Sequence, residues 1–205
     1  MNIYIQFLIC GLFTSLLFPP FFLLPVGFIV FPYLFYLLCS SNFSNLNYKN
    51  HFLGGFLYGL GFLIIFIGWI KEPFLIDTKT KNYFFLSYLL IIYCSFYFGV
   101  FFILLKIFNN NFIKFLMFPS LIILIEYICA NLGYGFPWVS FSLIYSNNFI
   151  GTSLIFFIGT YGLSFLTISF FLLPYVIFFP KKNLIKYLLI FYLILFCIVI
   201  ILTYL

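Results

Sequence analysis

Glu126-Tyr127-Ile128-Cys129-Ala130-Asn131-Leu132-Gly133-Tyr134-Gly135-Phe136-Pro137-Trp138 is the stretch that decides how this chain is read. It opens with the only acidic residue inside a long apolar run and closes in a Gly-Phe-Pro-Trp break. Gly135 permits backbone angles closed to other residues, and Pro137 removes a hydrogen-bond donor, so a continuous helix is not expected through this segment. Lipid offers freed backbone groups no partner, so such a break must be covered by protein or line a cavity. Glu126, Tyr134, Gly135, Phe136, Pro137 and Trp138 are therefore the candidate substrate- or lipid-binding residues.

The rest of the sequence sets the solvent. Hydrophobic residues make up 66% of the chain and charged residues only 6%, with a mean hydropathy of +1.28. That balance excludes a soluble domain, and apolar stretches of membrane-crossing length recur from end to end. The net charge of +6 comes wholly from lysine. These lysines sit in short loops between apolar runs, which points to membrane orientation and not to nucleic acid.

In chain order, Ile3–Phe18 and Phe21–Cys39 are two apolar runs parted by Pro19-Pro20, a pair that suits a tight re-entry turn. A third run, from about Phe52 to Ile70, holds Gly54, Gly55, Gly59 and Gly61. The four-residue spacing of Gly55 and Gly59 lets a neighbouring backbone approach, and Trp69 ends the run at an interfacial position. Further runs follow at Tyr83–Leu105, from Phe115 through Glu126, at Phe149–Phe179 with interruptions at Gly159, Gly162 and Pro174, and at Leu184–Leu205. The fold class expected is all-α: a single polytopic membrane bundle over residues 1–205, with about seven transmembrane helices.

Alternate loops carry unequal charge. One set holds Lys49, Lys106, Lys114, Lys181, Lys182 and Lys186 with no acid, while the other mixes Lys71, Lys79 and Lys81 with Glu72 and Asp77. The lysine-rich set is expected in the cytoplasm. The amino terminus then lies inside, while Leu205 and the Gly-Phe-Pro-Trp segment lie outside.

Little in the sequence suggests catalysis. A carboxylate near mid-bilayer costs roughly 3 kcal/mol on insertion scales, so Glu126 should face the bundle or a wet cavity. It serves there as a ligand contact, as a polar anchor for the broken loop, or as a protonated or hydrogen-bonded structural group. Tyr134 and Trp138 suit a lipid-tail groove or, equally, interfacial anchoring. His51, at a loop-to-helix boundary, reads as solvated or capping. Cys10, Cys39, Cys94, Cys129 and Cys197 are scattered without zinc or redox spacing and behave as small hydrophobes. No phosphate-cradling loop or nucleophile elbow is present, so neither a metal nor any other cofactor is expected.

Several stretches in order resemble the membrane part of the bacterial apolipoprotein N-acyltransferases. They are Leu17-Phe18-Pro19-Pro20-Phe21, Gly55-Phe56-Leu57-Tyr58-Gly59-Leu60-Gly61 with Gly68-Trp69-Ile70, Glu126 with Gly135-Phe136-Pro137-Trp138, and Gly159-Thr160-Tyr161-Gly162-Leu163-Ser164-Phe165. One position departs: the family commonly has an arginine three residues after the glutamate, where this chain has Cys129. The resemblance implies a protein of the bacterial inner membrane and a nitrilase-like periplasmic domain after the seventh span. That domain moves an acyl chain from a phospholipid to the diacylglyceryl-modified first cysteine of a lipoprotein. No cysteine here matches its nucleophile, so the expectation is an anchoring and lipid-presenting part without catalytic residues of its own. The partners implied are membrane phospholipids, a lipoprotein substrate and a separate chain carrying the nitrilase-like domain. The alternative is a non-enzymatic scaffold or a transporter-like protein, since a broken helix beside an acid also suits a transporter.

Overall fold

The structure, a computed structural model, describes residues 2–132 and 135–178. Tyr134, Lys181, Lys182, Lys186, Cys197 and the Leu184–Leu205 run, including its end at Leu205, lie outside the described residues. Among the described residues the chain is all-α, with no strand. In order it forms α1 (Ile3–Ser15), α2 (Gly27–Cys39), the one-turn α3 (Ser41–Ser44), α4 (Tyr48–Phe66), the short α5 (Lys71–Ile76), α6 (Phe85–Ile107), α7 (Asn111–Asn131), α8 (Phe149–Phe171) and α9 (Leu173–Phe178). Short 3-10 turns punctuate these at Leu24–Val26, Gly68–Ile70, Lys81–Tyr83 and Phe141–Tyr145.

Among the described residues, four helical segments are long and apolar enough to cross a bilayer: Tyr48–Phe66, Lys81–Ile107, Asn111–Asn131 and Gly151–Val176, the last kinked at Gly159, which adopts φ +71. The first two apolar runs give shorter helices. At 13 residues, α1 extends about 20 Å, less than the ~30 Å hydrocarbon layer. The chain shortens these helices by turning back within the run. Pro19-Pro20 is cis, Phe22 adopts φ +50, and Leu23 N–H reaches back to Leu16 O at 2.9 Å. The sequence places a tight turn at the two prolines; the structure widens it to Leu16–Val26.

The helices close into a ring in the order α1, α4, α6, α7, α8, α2, with α2 returning to α1 and also packing on α9. The closest approaches are made by α4, which lies between α1 and α6. A Cβ placed on Gly61 would stand 2.2 Å from Leu8 O of α1, and one on Gly55 would stand 2.2 Å from Phe98 O of α6. From the other direction, a Cβ on Gly11 of α1 would meet Tyr58 O at 2.1 Å. In lipid the apolar effect does not draw helices together, so such contact of backbone on backbone supplies much of the association.

Inside the ring lies an aromatic core. Phe7, Phe62, Phe98, Phe102 and Phe118 are buried, and Tyr58 stacks on Phe102 at 6.0 Å. Tyr58 keeps its hydroxyl satisfied through Thr14: Thr14 Oγ1 donates to Cys10 O at 2.8 Å and lies 3.2 Å from Tyr58 Oη, which leaves the tyrosine as donor. Cys10, Cys94 and Cys129 are buried free thiols and Cys39 is half-buried. His51 departs from the solvated reading: its ring is buried and sits 4.3 Å from that of Phe43.

The glycine contacts make a direct test. Gly55→Ala and Gly61→Ala should each lower stability by about 1–3 kcal/mol, because the added methyl displaces backbone and not a flexible side chain. Gly68→Ala, whose Cβ meets nothing within 4 Å, should leave stability unchanged. Thermal unfolding in detergent reads the difference; three matching midpoints would contradict the packing described.

Candidate functional site: the re-entrant loop after α7

The last turn of α7 is where the chain leaves helical geometry. Leu132 N–H bonds to Ile128 O at 2.8 Å, and Phe136 N–H returns to Cys129 O at 2.7 Å, so the freed carbonyls at the helix end are partly re-used. The return depends on Gly135, which adopts φ +66. A Cβ there would stand 2.4 Å from Ala130 O, so both conformation and space select glycine.

From Phe136 the chain runs out to the surface and then back into the bundle. Phe136 is half-buried, Pro137 and Trp138 are exposed, and Val139 is buried. Trp138, 47% exposed, lies flat against Trp69, which is 50% exposed, with ring centroids 5.1 Å apart and planes 16° from parallel. Phe136 leans on Trp138 at 5.4 Å. Trp69 belongs to the 3-10 turn that follows α4, so this contact ties the ends of α4 and α7 together. The three rings make a half-exposed aromatic platform. A recess at this end lies away from the three rings. It is about 290 Å³, lined by Phe22, Leu24, Ile144, Tyr145, Asn147, Asn148 and Phe149.

After Ser140 the backbone enters the ring of helices as the 3-10 turn Phe141–Tyr145. The Phe141 side chain, 1% exposed, fills the centre: its ring lies 5.3 Å from Phe18, 5.7 Å from Phe31 and 5.9 Å from Phe62. Non-helical backbone at this depth needs partners from the protein. Glu126, 2% exposed, is the main one. Its Oε1 accepts from Phe141 N–H at 2.7 Å and its Oε2 from Ser140 Oγ at 3.3 Å. Ser164 of α8 completes the set. Its Oγ accepts from Ser142 N–H at 2.9 Å and lies 3.4 Å from Ser140 Oγ, which in turn is 2.9 Å from Ser142 Oγ.

Chemically, this assembly holds a turn. The carboxylate oxygens receive an amide and a hydroxyl, and His51 lies towards the opposite end of the bundle, near the start of α4. At Cys129, where the resemblance leads one to expect arginine, the side chain is a buried thiol, and the glutamate's partners are the Phe141 amide and serine instead. Of the sequence candidates, Gly135 shapes the turn, Phe136 and Trp138 build the platform, Pro137 lies exposed between them, and Glu126 anchors the 3-10 turn beyond. Sequence reasoning missed Ser140, Phe141 and Ser142. It also missed the pairing of Trp138 with Trp69 and the part played by Ser164. The available signal was hydroxyl groups within apolar surroundings, which in lipid call for a partner.

Glu126→Leu removes both acceptors and leaves the Phe141 amide buried and unpaired, so it should cost about 1–3 kcal/mol. Glu126→Gln keeps one carbonyl acceptor and should lose markedly less. Unfolding midpoints of the two variants in one detergent test the anchor; a leucine variant as stable as the parent contradicts it.

The family model described as apolipoprotein N-acyltransferase N-terminal domain matches residues 10–173 of this chain. A search of curated proteins finds no match. The matched residues take in the Pro19-Pro20 turn, the glycine-lined α4, Trp69, the whole break after α7, its Glu126 anchor and Ser164. The chain belongs to the family of apolipoprotein N-acyltransferase N-terminal domains.

Proposed function

We propose that this membrane domain anchors and presents lipid for a phospholipid-dependent N-acyltransferase acting on the N-terminal diacylglyceryl-cysteine of lipoproteins. The single observation that carries this reading is the platform of Phe136, Trp138 and Trp69 held open at the end of α4 and α7, within a chain of this family. Aromatic faces that remain half-exposed at a membrane interface suit acyl chains and the glycerol region of a phospholipid. A rigid base keeps them in place: Glu126 fixes the backbone after Ser140, and Phe141 is locked among Phe18, Phe31 and Phe62.

In this reading the domain sits in the bacterial inner membrane with its amino terminus in the cytoplasm and the platform facing the periplasm. The lysine asymmetry of the loops supports that orientation. The partners are a membrane phospholipid as acyl donor, the lipoprotein as acceptor, and a nitrilase-like domain that performs the transfer. The bundle's part is to concentrate and orient the donor. A transporter reading asks instead for an acid open to an aqueous path, and the carboxylate of Glu126 is buried on loop groups.

The test places Phe136→Ala and Trp138→Ala together in a complete, active enzyme of this type. Loss of two ring contacts, each worth about 0.5–1.5 kcal/mol, should lower kcat/KM for the phospholipid donor about tenfold. Unchanged acyl transfer would remove the lipid-presenting role.

A further inference from the structure

At the end of the bundle opposite Trp138, three basic side chains converge. His51 stands in the first turns of α4, Lys106 in the last turn of α6 and Lys114 in the first turns of α7. With Phe35, Leu38, Phe102 and Leu105 they line a recess of about 10 Å³, room for one oxygen atom. Lys114 is the unusual member. It is only 7% exposed, and among the described residues no carboxylate lies within ion-pair distance of its ammonium. Lys106 is partly engaged: its Nζ donates to the carbonyls of Ser44, at 3.2 Å, and Leu46, and lies 5.2 Å above the Tyr48 ring. His51 Nδ1 is 3.2 Å from Asn47 O, which can only accept, so the proton sits on Nδ1 and Nε2 remains an unprotonated acceptor when the ring is neutral.

The sequence makes this charge harder to balance from within. The chain has only three acidic side chains. Glu126 binds the Phe141 amide, Glu72 lies 3.9 Å from Lys71, and Asp77 accepts from Lys79 N–H at 2.9 Å. All three lie far from this end; along α7 alone, Lys114 and Glu126 are separated by about 18 Å. A half-buried pair of lysines beside apolar rings and without a carboxylate is a site for an anion that another molecule supplies.

We infer that Lys106 and Lys114 form an oxyanion site that takes one phosphoryl oxygen into the recess between α4, α6 and α7, the neutral His51 ring only lining the wall and donating no hydrogen bond to it. The shared chemistry is a phosphate group, carried by an anionic phospholipid headgroup or by free phosphate. The recess admits one oxygen and the remainder of the group stays at its mouth, the geometry of a headgroup lying at a bilayer interface. The lysine count assigns this end to the cytoplasm, so the site is separate from the aromatic platform and from any acyl transfer there.

Delipidated full chain in neutral detergent, titrated with phosphatidylglycerol, phosphatidylcholine or inorganic phosphate, tests the site by native mass spectrometry and thermal shift. Phosphatidylglycerol should bind saturably and raise the unfolding midpoint, with phosphatidylcholine weaker. Lys106→Met and Lys114→Met should each weaken that binding about fivefold, Lys114→Arg should largely restore it, and Lys49→Met, at an exposed neighbouring lysine, should leave it unchanged. A response to inorganic phosphate that competes with the lipid identifies the free anion as sufficient; response to the lipid alone identifies the headgroup. Binding that is equal for both lipids, insensitive to phosphate and unchanged in the folded Met variants overturns the proposal and leaves a recess filled by water only.

Discussion

The hydrogen bond from Phe141 N–H to Glu126 Oε1, 2.7 Å long, is the constraint on which the rest of this bundle depends. From Phe136 the chain crosses the surface at Pro137 and Trp138 and comes back in as a 3-10 turn and not as an α-helix. In a bilayer that path is open only where protein groups replace water as partners for the backbone. Glu126 Oε1 and Ser164 Oγ meet that need at the amides of Phe141 and Ser142, and the Ser140 and Ser142 hydroxyls link the two acceptors. With the backbone satisfied, the Phe141 ring can stand at the centre of the helices, where it touches α2, α4 and the segment just after α1. The same anchor sets where Phe136 and Trp138 emerge. The packing of the bundle and the proposed lipid-presenting platform thus share one residue.

Polarity is distributed unevenly along the bundle. At the Trp138 end, a buried acid is matched by neutral donors from the loop and α8. At the other end, buried lysine lacks an acid altogether. The first arrangement is closed within the chain and reads as structural support for a lipid-facing surface. The second is incomplete on its own and reads as half of an interaction with a phosphate-bearing molecule. An integral protein has lipid as solvent on one side and headgroups at each rim, so both arrangements follow from ordinary membrane electrostatics.

Hydropathy made the lengthwise plan of the chain legible. It located the apolar helices among the described residues, though not the shortness of the first two, and Gly135 with Pro137 located the break, because a missing donor and a positive φ are properties of single residues. The grouped glycines of α4 announced a close helix contact: Gly55 makes it against the backbone of α6 and Gly61 against that of α1, while Gly59, paired with Gly55 by spacing, meets mainly the Phe98 side chain. What stayed hidden is crosswise. Lipid is as apolar as the core, so a sequence with 36 phenylalanines does not distinguish the one at position 141, which fills the centre, from those that face outward. The Trp69–Trp138 stack and the Ser164–Ser142 link join residues far apart in sequence, and no local pattern encodes them. His51 escapes a sequence reading because a histidine at a helix start is usually wet; here Phe43 covers it.

Amide hydrogen exchange in lipid nanodiscs tests the central claim most directly. If Glu126 and Ser164 hold the re-entrant turn, the amides of Phe141 and Ser142 should exchange as slowly as those in the middle of α7. Exchange at those two positions as fast as in the exposed Asp77–Lys81 loop would show that the turn is not anchored, and the account of the platform built on it would fail.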